Sequence, residues 1–153
     1  MTPKTVAVAT AIAALFVTTS TATAAPTYDQ SVLTLTNQER TAAGCPALSS
    51  NDQLIAAAKR HNDEMAATGN FSHTGVDGST PAQRVSEAGY PFRTTAENIA
   101  AGQRTPEEVV RDWMASEGHR ANILNCELRE LGVAYAVDAG GRSYWTQEFG
   151  VRQ

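Results

Sequence analysis

The C-terminal segment constrains the fold most, because it follows the period of a β-hairpin whereas the segments before it follow the period of helices. In LGVAYAV, residues 131–137, large and small side chains alternate, which is typical of a strand with one packed face. A turn follows at 138–141, and RSYWTQEFGV then runs back as a second strand, with Trp145, Gln147 and Phe149 on one face. The sequence therefore predicts an antiparallel hairpin at the end of the chain.

Two long helices are predicted near the start of the domain. Residues 28–43 carry apolar side chains at helical spacing and stop before Gly44, which fits a C-terminal cap. Ser50 with Gln53 predicts a capping box for a second helix that ends at Gly69.

Two threonine–proline pairs predict the starts of two further helices. The pairs begin at positions 80 and 105, and each is followed by Gln or Glu at the capping-box position. The expected helices cover 82–88 and 107–115. Helices followed by a hairpin indicate an α+β domain.

The first residues predict an export signal. Lys4 precedes a small and apolar stretch over 6–17, and Ala22-Thr23-Ala24 supplies a small-residue cleavage site. We expect a signal peptide over 1–24, cleaved after Ala24, with cleavage after Ala25 or an uncleaved anchor as the alternatives. The apolar stretch is shorter than the ~20 residues of a membrane-spanning helix. No transmembrane segment is expected once the signal is removed.

The remaining chain has the size of one domain and an acidic balance. No linker, repeat or charge run interrupts it, and the formal net charge of the whole sequence is −4. Because a nucleic-acid partner normally requires a basic patch, we expect no nucleic-acid binding. The expectation is a secreted, extracellular monomer with one domain that fills nearly all of the mature chain.

The sequence contains two cysteines, Cys45 and Cys126. In an exported protein the simplest expectation is that they pair with each other, since the compartment is oxidising. Such a bridge would stabilise the fold by roughly 4–5 kcal/mol in the chain-entropy model. Two unpaired buried thiols are the alternative.

The usual hydrolase signatures are absent from the sequence. It contains no G-x-S-x-G elbow, no H-E-x-x-H zinc helix, no phosphate-binding glycine loop and no C-x-x-C pair. His61 lies on an apolar helical stripe and is expected to be a core residue. Four residues in predicted loops have side chains that can act as acids, bases or metal ligands, and we take them as site candidates: His73, Glu97, Glu117 and His119.

Five sequence blocks resemble one family when they are taken in order and at their spacing. They are FSHTGVDGSTPAQRVSEAGY, AENIAAG, VVRDWMASEGHRANILNC, LGVAYAV and YWTQEFG. Together they resemble the CAP superfamily of cysteine-rich secretory proteins, antigen 5 and pathogenesis-related proteins, also called the SCP domain, in its short bacterial form. The resemblance extends over residues 28–151.

The resemblance implies a three-layer α-β-α sandwich with a small antiparallel sheet. That fold requires a third strand, for which the ENIA segment at 97–100 is the candidate. The resemblance also implies a cleft with two histidines and two acids. Block by block, His73 and His119 take the histidine positions and Glu97 takes the first acid position.

The second acid position is where the sequence departs from the family pattern. Animal and plant members have a glutamate shortly after the tryptophan, and here Trp113 is followed at that place by Ser116. Glu117 is offset by one residue. It either supplies the missing acid or points to solvent.

Two chemical interpretations of this cleft remain open. His73 and His119 can ligate Zn²⁺ or another divalent cation, with Glu97 or Glu117 nearby. The same groups can instead form a hydrogen-bonded network in which Glu97 accepts from His119. Hydrolysis would have to proceed through metal-bound water, with Glu97 or Glu117 as base, since no nucleophile next to a base is evident.

Three functional hypotheses follow. The first, which the resemblance favours, is a secreted protein that binds a lipid, a sterol, a cell-envelope component or another protein. The second is a metal-assisted hydrolase or protease that uses the same cleft. The third is a purely structural network that fastens the loops.

Overall fold

A computed structural model describes Met1 and residues 24–153, so residues 2–23 of the expected signal peptide lie outside the described part of the chain. The elements in chain order are α1 (Tyr28–Ala42), β1 (Ser49–Ser50), α2 (Asp52–Thr68), α3 (Pro81–Glu87), β2 (Phe92–Ala101), α4 (Pro106–Ala115), α5 (Glu117–Ile123), β3 (Glu130–Val137) and β4 (Ser143–Arg152). Within residues 24–153, no helix is long and apolar enough to cross a membrane.

The predicted helices are present, with one cap misplaced. Helix α2 is capped by Asn51, whose side chain accepts from the backbone N–H groups of Gln53 and Leu54, so the predicted capping box at Ser50 is wrong. The reason is that Ser50 belongs to β1, where it pairs with Leu131. Asparagine caps a helix as well as serine does, and the pairing of the neighbouring strand decides between them.

The sheet has four strands in the order β1-β3-β4-β2. Strands β3 and β4 form the predicted antiparallel hairpin, and β2 pairs antiparallel with β4, which confirms the ENIA segment as a strand. The two-residue strand β1 runs parallel to β3. The sheet is therefore mixed, whereas an antiparallel sheet was expected.

Helices cover both faces of the sheet, as expected for a three-layer α-β-α sandwich. On one face, Val32 of α1 and Trp113 of α4 pack with Leu131, Trp145 and Phe149. Helices α2 and α3 cover the opposite face, where two smaller apolar clusters lie. The first contains Leu54, Ala57, Val85 and Tyr90, and the second contains Met65, Ile99 and Tyr144. Strand β4 is buried on both faces from Ser143 to Gly150.

The alternation in β3 has a different cause from the one inferred from sequence. Its small residues also face a buried layer, because Gly132 lies directly against the backbone of α2 at Leu54. Val137, at the far end of the large-residue face, is 48% exposed. Small side chains in β3 therefore mark the close approach of α2 and do not mark a solvent face.

Substituting Gly132 with alanine is expected to destabilise the protein by about 1–3 kcal/mol. A methyl group there would overlap the backbone of Leu54, and helix backbone cannot move aside as a flexible side chain can. Thermal unfolding of Gly132→Ala checks this. The matched control is Gly118→Ala, because a methyl group at Gly118 meets no atom and alanine favours helix. Equal unfolding temperatures for the two variants would contradict the close approach.

A disulfide and a buried arginine hold the segment after α5 against the end of α1. The predicted disulfide joins Cys45 to Cys126. Beside it, the fully buried Arg40 guanidinium donates to four backbone carbonyls at 2.7–3.0 Å, those of Pro46, Ile123, Asn125 and Leu128. The position of α5 thus depends on the disulfide and on Arg40. The arginine donates to backbone carbonyls that have no hydrogen-bond donor within a helix.

Candidate functional site

The candidate site straddles β2, the edge strand of the sheet. Glu97 and Asn98 are neighbours in this strand, and successive strand residues point to opposite faces. Glu97 enters the layer of α2 and α3, and Asn98 enters the layer of α5. The loop that contains His73 and the helix that contains His119 therefore approach the same strand from opposite sides.

Glu97 is the centre of the first half of the site. Its Oε1 accepts from Nδ1 of His73 at 2.6 Å, and its Oε2 accepts from Nη2 of Arg84 at 2.7 Å. Burial alone would raise the pKa of Glu97, but the hydrogen bonds from His73 and its other neighbours lower it below the usual value. Glu97 is therefore a buried carboxylate with a nitrogen donor on each oxygen, one of them a guanidinium.

His73 connects this buried pair to solvent. Its side chain is 52% exposed, whereas those of Glu97 and Arg84 are at most 1% exposed. The hydrogen bond to Glu97 raises the pKa of His73 above its ordinary value, although burial and the charge of Arg84 oppose the shift. With Nδ1 committed to Glu97, the Nε2 edge of the ring is the one left for another molecule.

A second acid, Glu148, lies beside Glu97 on the neighbouring strand. The two residues are directly paired between β2 and β4, and Glu148 is fully buried. Neither oxygen of its carboxyl group meets a hydrogen-bond donor among residues 24–153. Burial, together with the adjacent Glu97 carboxylate, raises the pKa of Glu148 well above its usual value. The lowered pKa of Glu97 and the raised pKa of Glu148 favour a pair with one ionised and one protonated carboxyl.

His61 completes the wall behind Glu97. It is fully buried, as expected for a core histidine, and its Nε2 donates to the carbonyl of Ser72 at 2.8 Å. The same nitrogen is 4.0 Å from Oε1 of Glu97. His61 thus supports the loop that contains His73.

His119 occupies the other side of the strand, and its expected bond to Glu97 is not formed. Glu97 accepts from His73 and Arg84, and His119 contacts the strand through its backbone, whose carbonyl accepts from Nδ2 of Asn98 at 3.1 Å. Burial and the charge of His73 lower the pKa of His119. The interpretation in which Glu97 accepts from His119 is therefore not realised, because the two oxygens of Glu97 accept from His73 and Arg84.

Hydrogen bonds between amide side chains fix the position of α5 relative to β2. Nδ2 of Asn122 donates to Oδ1 of Asn98 at 2.8 Å and to the carbonyl of Glu97 at 3.2 Å. Asn98 in turn donates to Gln147 at 3.1 Å, and Gln147 donates to Thr36 of α1 at 2.8 Å. This buried chain fixes the distance between the two halves of the site.

Neither Ser116 nor Glu117 joins the residues around Glu97. Glu117 begins α5 and is exposed, and Ser116 is the N-cap residue of α5 without a side-chain capping bond. The buried groups beside Glu97 are Arg84 and Glu148, which sequence reasoning missed. Glu148 had a usable signal, since it is the one charged residue inside the otherwise uncharged run YWTQEFG.

The residues that are present do not fit a resident zinc ion. Nowhere in residues 24–153 do three or more His, Cys, Asp or Glu side chains converge as metal ligands. The carboxylate of Glu97 is already engaged by a histidine N–H and a guanidinium, which compete directly with a cation. His73 and His119 would supply two ligands, where a catalytic zinc site normally has three from the protein.

Comparisons with known proteins identify relatives along most of the chain. The model of the cysteine-rich secretory protein family, CAP, matches residues 33–149. The protein YkwD of Bacillus subtilis is 41% identical over 135 residues, which are 86% of this chain and 51% of YkwD. The membrane protein YlbC of the same organism is 32% identical over 123 residues, 80% of this chain and 34% of YlbC. The chain thus spans about half of the length of YkwD and about a third of that of YlbC.

Solved structures give the same result at the level of the fold. An extracellular protein of Bacillus anthracis that contains an SCP domain superposes with a TM-score of 0.74 at 30% identity, covering 82% of this chain and 40% of that protein. An outer surface protein of Borrelia burgdorferi superposes with a TM-score of 0.74 at 23% identity, covering 80% of this chain and 90% of that protein. From the matched residues and the shared fold, the chain belongs to the cysteine-rich secretory protein (CAP) family.

Proposed function

We propose that this chain is an exported CAP-domain protein that acts by binding a ligand in the cleft formed by His73, Glu97 and His119. One observation supports this most directly. Nδ1 of the half-exposed His73 ring is hydrogen-bonded to the buried carboxylate of Glu97, and that carboxylate is hydrogen-bonded to Arg84. Such a ring is fixed in orientation before any ligand arrives, which reduces the entropy lost on binding.

The ligand chemistry follows from what the two rings present. Nδ1–H of His73 donates to Glu97, so Nε2 is an acceptor in the neutral ring and becomes a positively charged N–H donor when the ring is protonated, the form that the raised pKa of His73 favours. His119, whose pKa is lowered, offers a neutral imidazole. We infer a ligand with an oxygen acceptor at the histidines, for which a lipid, a sterol, a cell-envelope component and a protein remain the candidate classes.

Export is part of the same proposal. The similar SCP-domain protein of Bacillus anthracis is extracellular, and the disulfide Cys45–Cys126 suits an oxidising compartment. The signal over 1–24 and the domain over 28–151 remain predictions.

No specific observation favours the hydrolase alternative. Both cysteines are consumed in the disulfide. Within residues 24–153, no serine or threonine hydroxyl donates to the imidazole of His73 or His119, so the pairing of nucleophile and base is lacking.

Binding to three probes tests the proposal: phosphatidylglycerol vesicles, cholesterol-containing vesicles and purified peptidoglycan. We expect the protein to bind at least one, and His73→Ala to bind it about 10- to 100-fold more weakly, as for loss of a charged hydrogen bond. Glu117→Ala is the matched control and should bind as the parent does, since Glu117 is exposed and outside the cluster.

Three outcomes would contradict the proposal. One is no binding to any of the probes. Another is turnover of a peptide or ester substrate that is lost in His119→Ala. The third is a lower unfolding temperature of His73→Ala with unchanged binding, which would reduce the cluster to a structural fastening of the loops.

A further inference from the structure

The outer edge of β3 is paired along only part of its length. Strand β1 covers this edge as far as Leu131 and ends at Ser50. The carbonyl of Leu131 accepts from the N–H of Asn51, so the backbone of Leu131 faces outwards, away from β4. Because the direction of these backbone groups alternates along a strand, those of Val133 and Tyr135 also face outwards.

The outward backbone groups of Val133 and Tyr135 have no hydrogen-bond partner among residues 24–153. The alternation is confirmed at the end of the hairpin, where the N–H of Asp138 donates to the carbonyl of Arg142 across the turn. Val133 is only 5% exposed. Backbone groups in so covered a place require water or another polypeptide as their partner.

A cavity of about 320 Å³ lies beside this open edge. Asp29 and Leu33 of α1 line one wall, and Ile55 of α2 lines the other. Val133 lies between these walls, and Ser50 also lines the cavity at the point where β1 ends. The cavity therefore occupies the space that β1 would fill if the strand continued beside β3.

A second cavity, of about 410 Å³, extends the open space to Tyr135. It shares Thr27 and Asp29 with the first cavity, and Tyr28, whose ring lies 4.9 Å from that of Tyr135, lines it too. We call the two cavities together the β3 groove. Its helical walls leave room for one extended segment, whereas the edge of a second sheet would bring its own helices into collision with them.

Asp29 gives the β3 groove a preference for positive charge. Its Oδ1 is buried and meets no hydrogen-bond donor in the described part of the chain. Burial raises the pKa of Asp29, although the charge of Lys59 opposes the shift, and Lys59 itself pairs with Asp63. A cation beside Asp29 favours the ionised carboxylate. The net charge of −4 attracts a basic ligand in the same way.

We propose that the β3 groove binds an extended segment of a partner polypeptide that carries a lysine or an arginine. The segment adds a strand to the sheet beside Val133 and Tyr135 and uses their open N–H and carbonyl groups. Its basic side chain pairs with Asp29. The β3 groove contains none of the residues of the histidine cleft, so the inference is independent of the proposed function.

NMR titration with the acetylated and amidated heptapeptide TVTKTVT tests the groove. The peptide combines strand-forming residues with a central lysine. We expect saturable shifts of the Val133 and Tyr135 amide signals and slower hydrogen exchange of the same two amides, because they acquire acceptors. An analogue with glutamate in place of the lysine should bind at least about tenfold more weakly.

Asp29→Asn tests the charge of the groove. The variant should bind the lysine peptide about tenfold more weakly and should bind a norleucine analogue as the parent does, which also shows that the groove is intact. Glu39→Gln is the matched control, because it removes one negative charge from an exposed residue of the same helix outside the groove. It should bind both peptides as the parent does.

Two N-methylated isomers of the lysine peptide test strand addition itself. One is methylated at the odd-numbered amides and the other at the even-numbered amides, so each isomer has lost the donors of one edge. A strand added to β3 uses one of its edges and leaves the other free. We expect one isomer to bind as the unmodified peptide does and the other to bind at least about tenfold more weakly.

The proposal is overturned if the peptide leaves the Val133 and Tyr135 amides unchanged, or if the two isomers bind equally. It also fails if Glu39→Gln weakens binding as much as Asp29→Asn does, because the effect is then one of net charge. Protection of the two amides that grows with protein concentration alone would assign the edge to a second copy. Protection that disappears when residues 1–24 are removed would assign it to the chain's own leader, and either result contradicts the proposal.

Discussion

Replacing Arg84 by methionine is expected to lower the free energy of unfolding by about 3–5 kcal/mol, the usual cost of leaving one member of a buried ion pair without its partner. Arg84 and Glu97 are both removed from water, and Nη2 of Arg84 donates to Oε2 of Glu97 at 2.7 Å. The same guanidinium donates to the carbonyls of His73 and Ser79, which fixes the loop that presents His73. The variant therefore loses stability together with one support of the loop that presents His73, while His73 keeps Glu97 as its partner.

Chemical denaturation and an NMR titration of His73 measure these two effects. Because the charge of Arg84 lowers the pKa of His73, that pKa should rise further in Arg84→Met. Arg60→Met is the matched control, because Arg60 forms its ion pairs with Asp77 and Glu87 at the exposed surface and should lose at most about 1 kcal/mol. Adding Glu97→Gln to Arg84→Met should recover part of the loss, because no buried charge then lacks a partner. Equal losses in the two methionine variants would contradict the importance of the buried pair.

Glu148→Gln is expected to be more stable than the parent protein, by a margin that grows as the pH rises. The folded state keeps Glu148 protonated, whereas the unfolded chain releases that proton near the ordinary glutamate pKa. The stability that the protonated group contributes is therefore fully present below the unfolded pKa, and it is lost as the pH rises towards the folded pKa. Within that window the parent should lose up to about 1.4 kcal/mol per pH unit.

The glutamine variant has no proton to lose, and its amide places N–H donors beside the Glu97 carboxylate. Unfolding temperatures of both proteins should nearly coincide at low pH and separate steadily above it. His73, whose pKa is also raised, contributes a similar pH dependence to both proteins and cancels in the difference. Glu97, whose pKa is lowered, acts in a lower pH range. A difference that stays constant with pH would show that Glu148 is ionised in the folded state.

The helices and the hairpin were predictable because their signals are local. Capping threonines, stop glycines and alternating strands are visible within a few residues, and tertiary packing agreed with them. Strand β2 was harder, because TAENIAAG has no clear period and its pairing with β4 comes from distant residues. The cap of α2 shifted for the same reason, since the pairing of β1 with β3 determines which residue precedes the helix.

The site was predictable only in part. Family resemblance pointed to His73 and Glu97, which do hydrogen-bond each other. The bond from His119 to Glu97, one of two chemical interpretations of the cleft, is not formed, because Glu97 accepts from His73 and Arg84. Arg84 looked like an ordinary surface residue of a capped helix. Its burial results from the packing of α3 over β2, and no local sequence pattern predicts that packing.

Arg40 has a consequence for the order in which the protein is assembled. Its guanidinium donates to the carbonyls of Ile123, Asn125 and Leu128 near the end of α1. These hydrogen bonds form without an oxidant. We therefore expect folding of the reduced chain to bring Cys45 and Cys126 together, so that oxidation locks an arrangement that already exists. A chain of this kind can fold before it meets an oxidising partner, and with only two cysteines it has no wrong disulfide to form within itself.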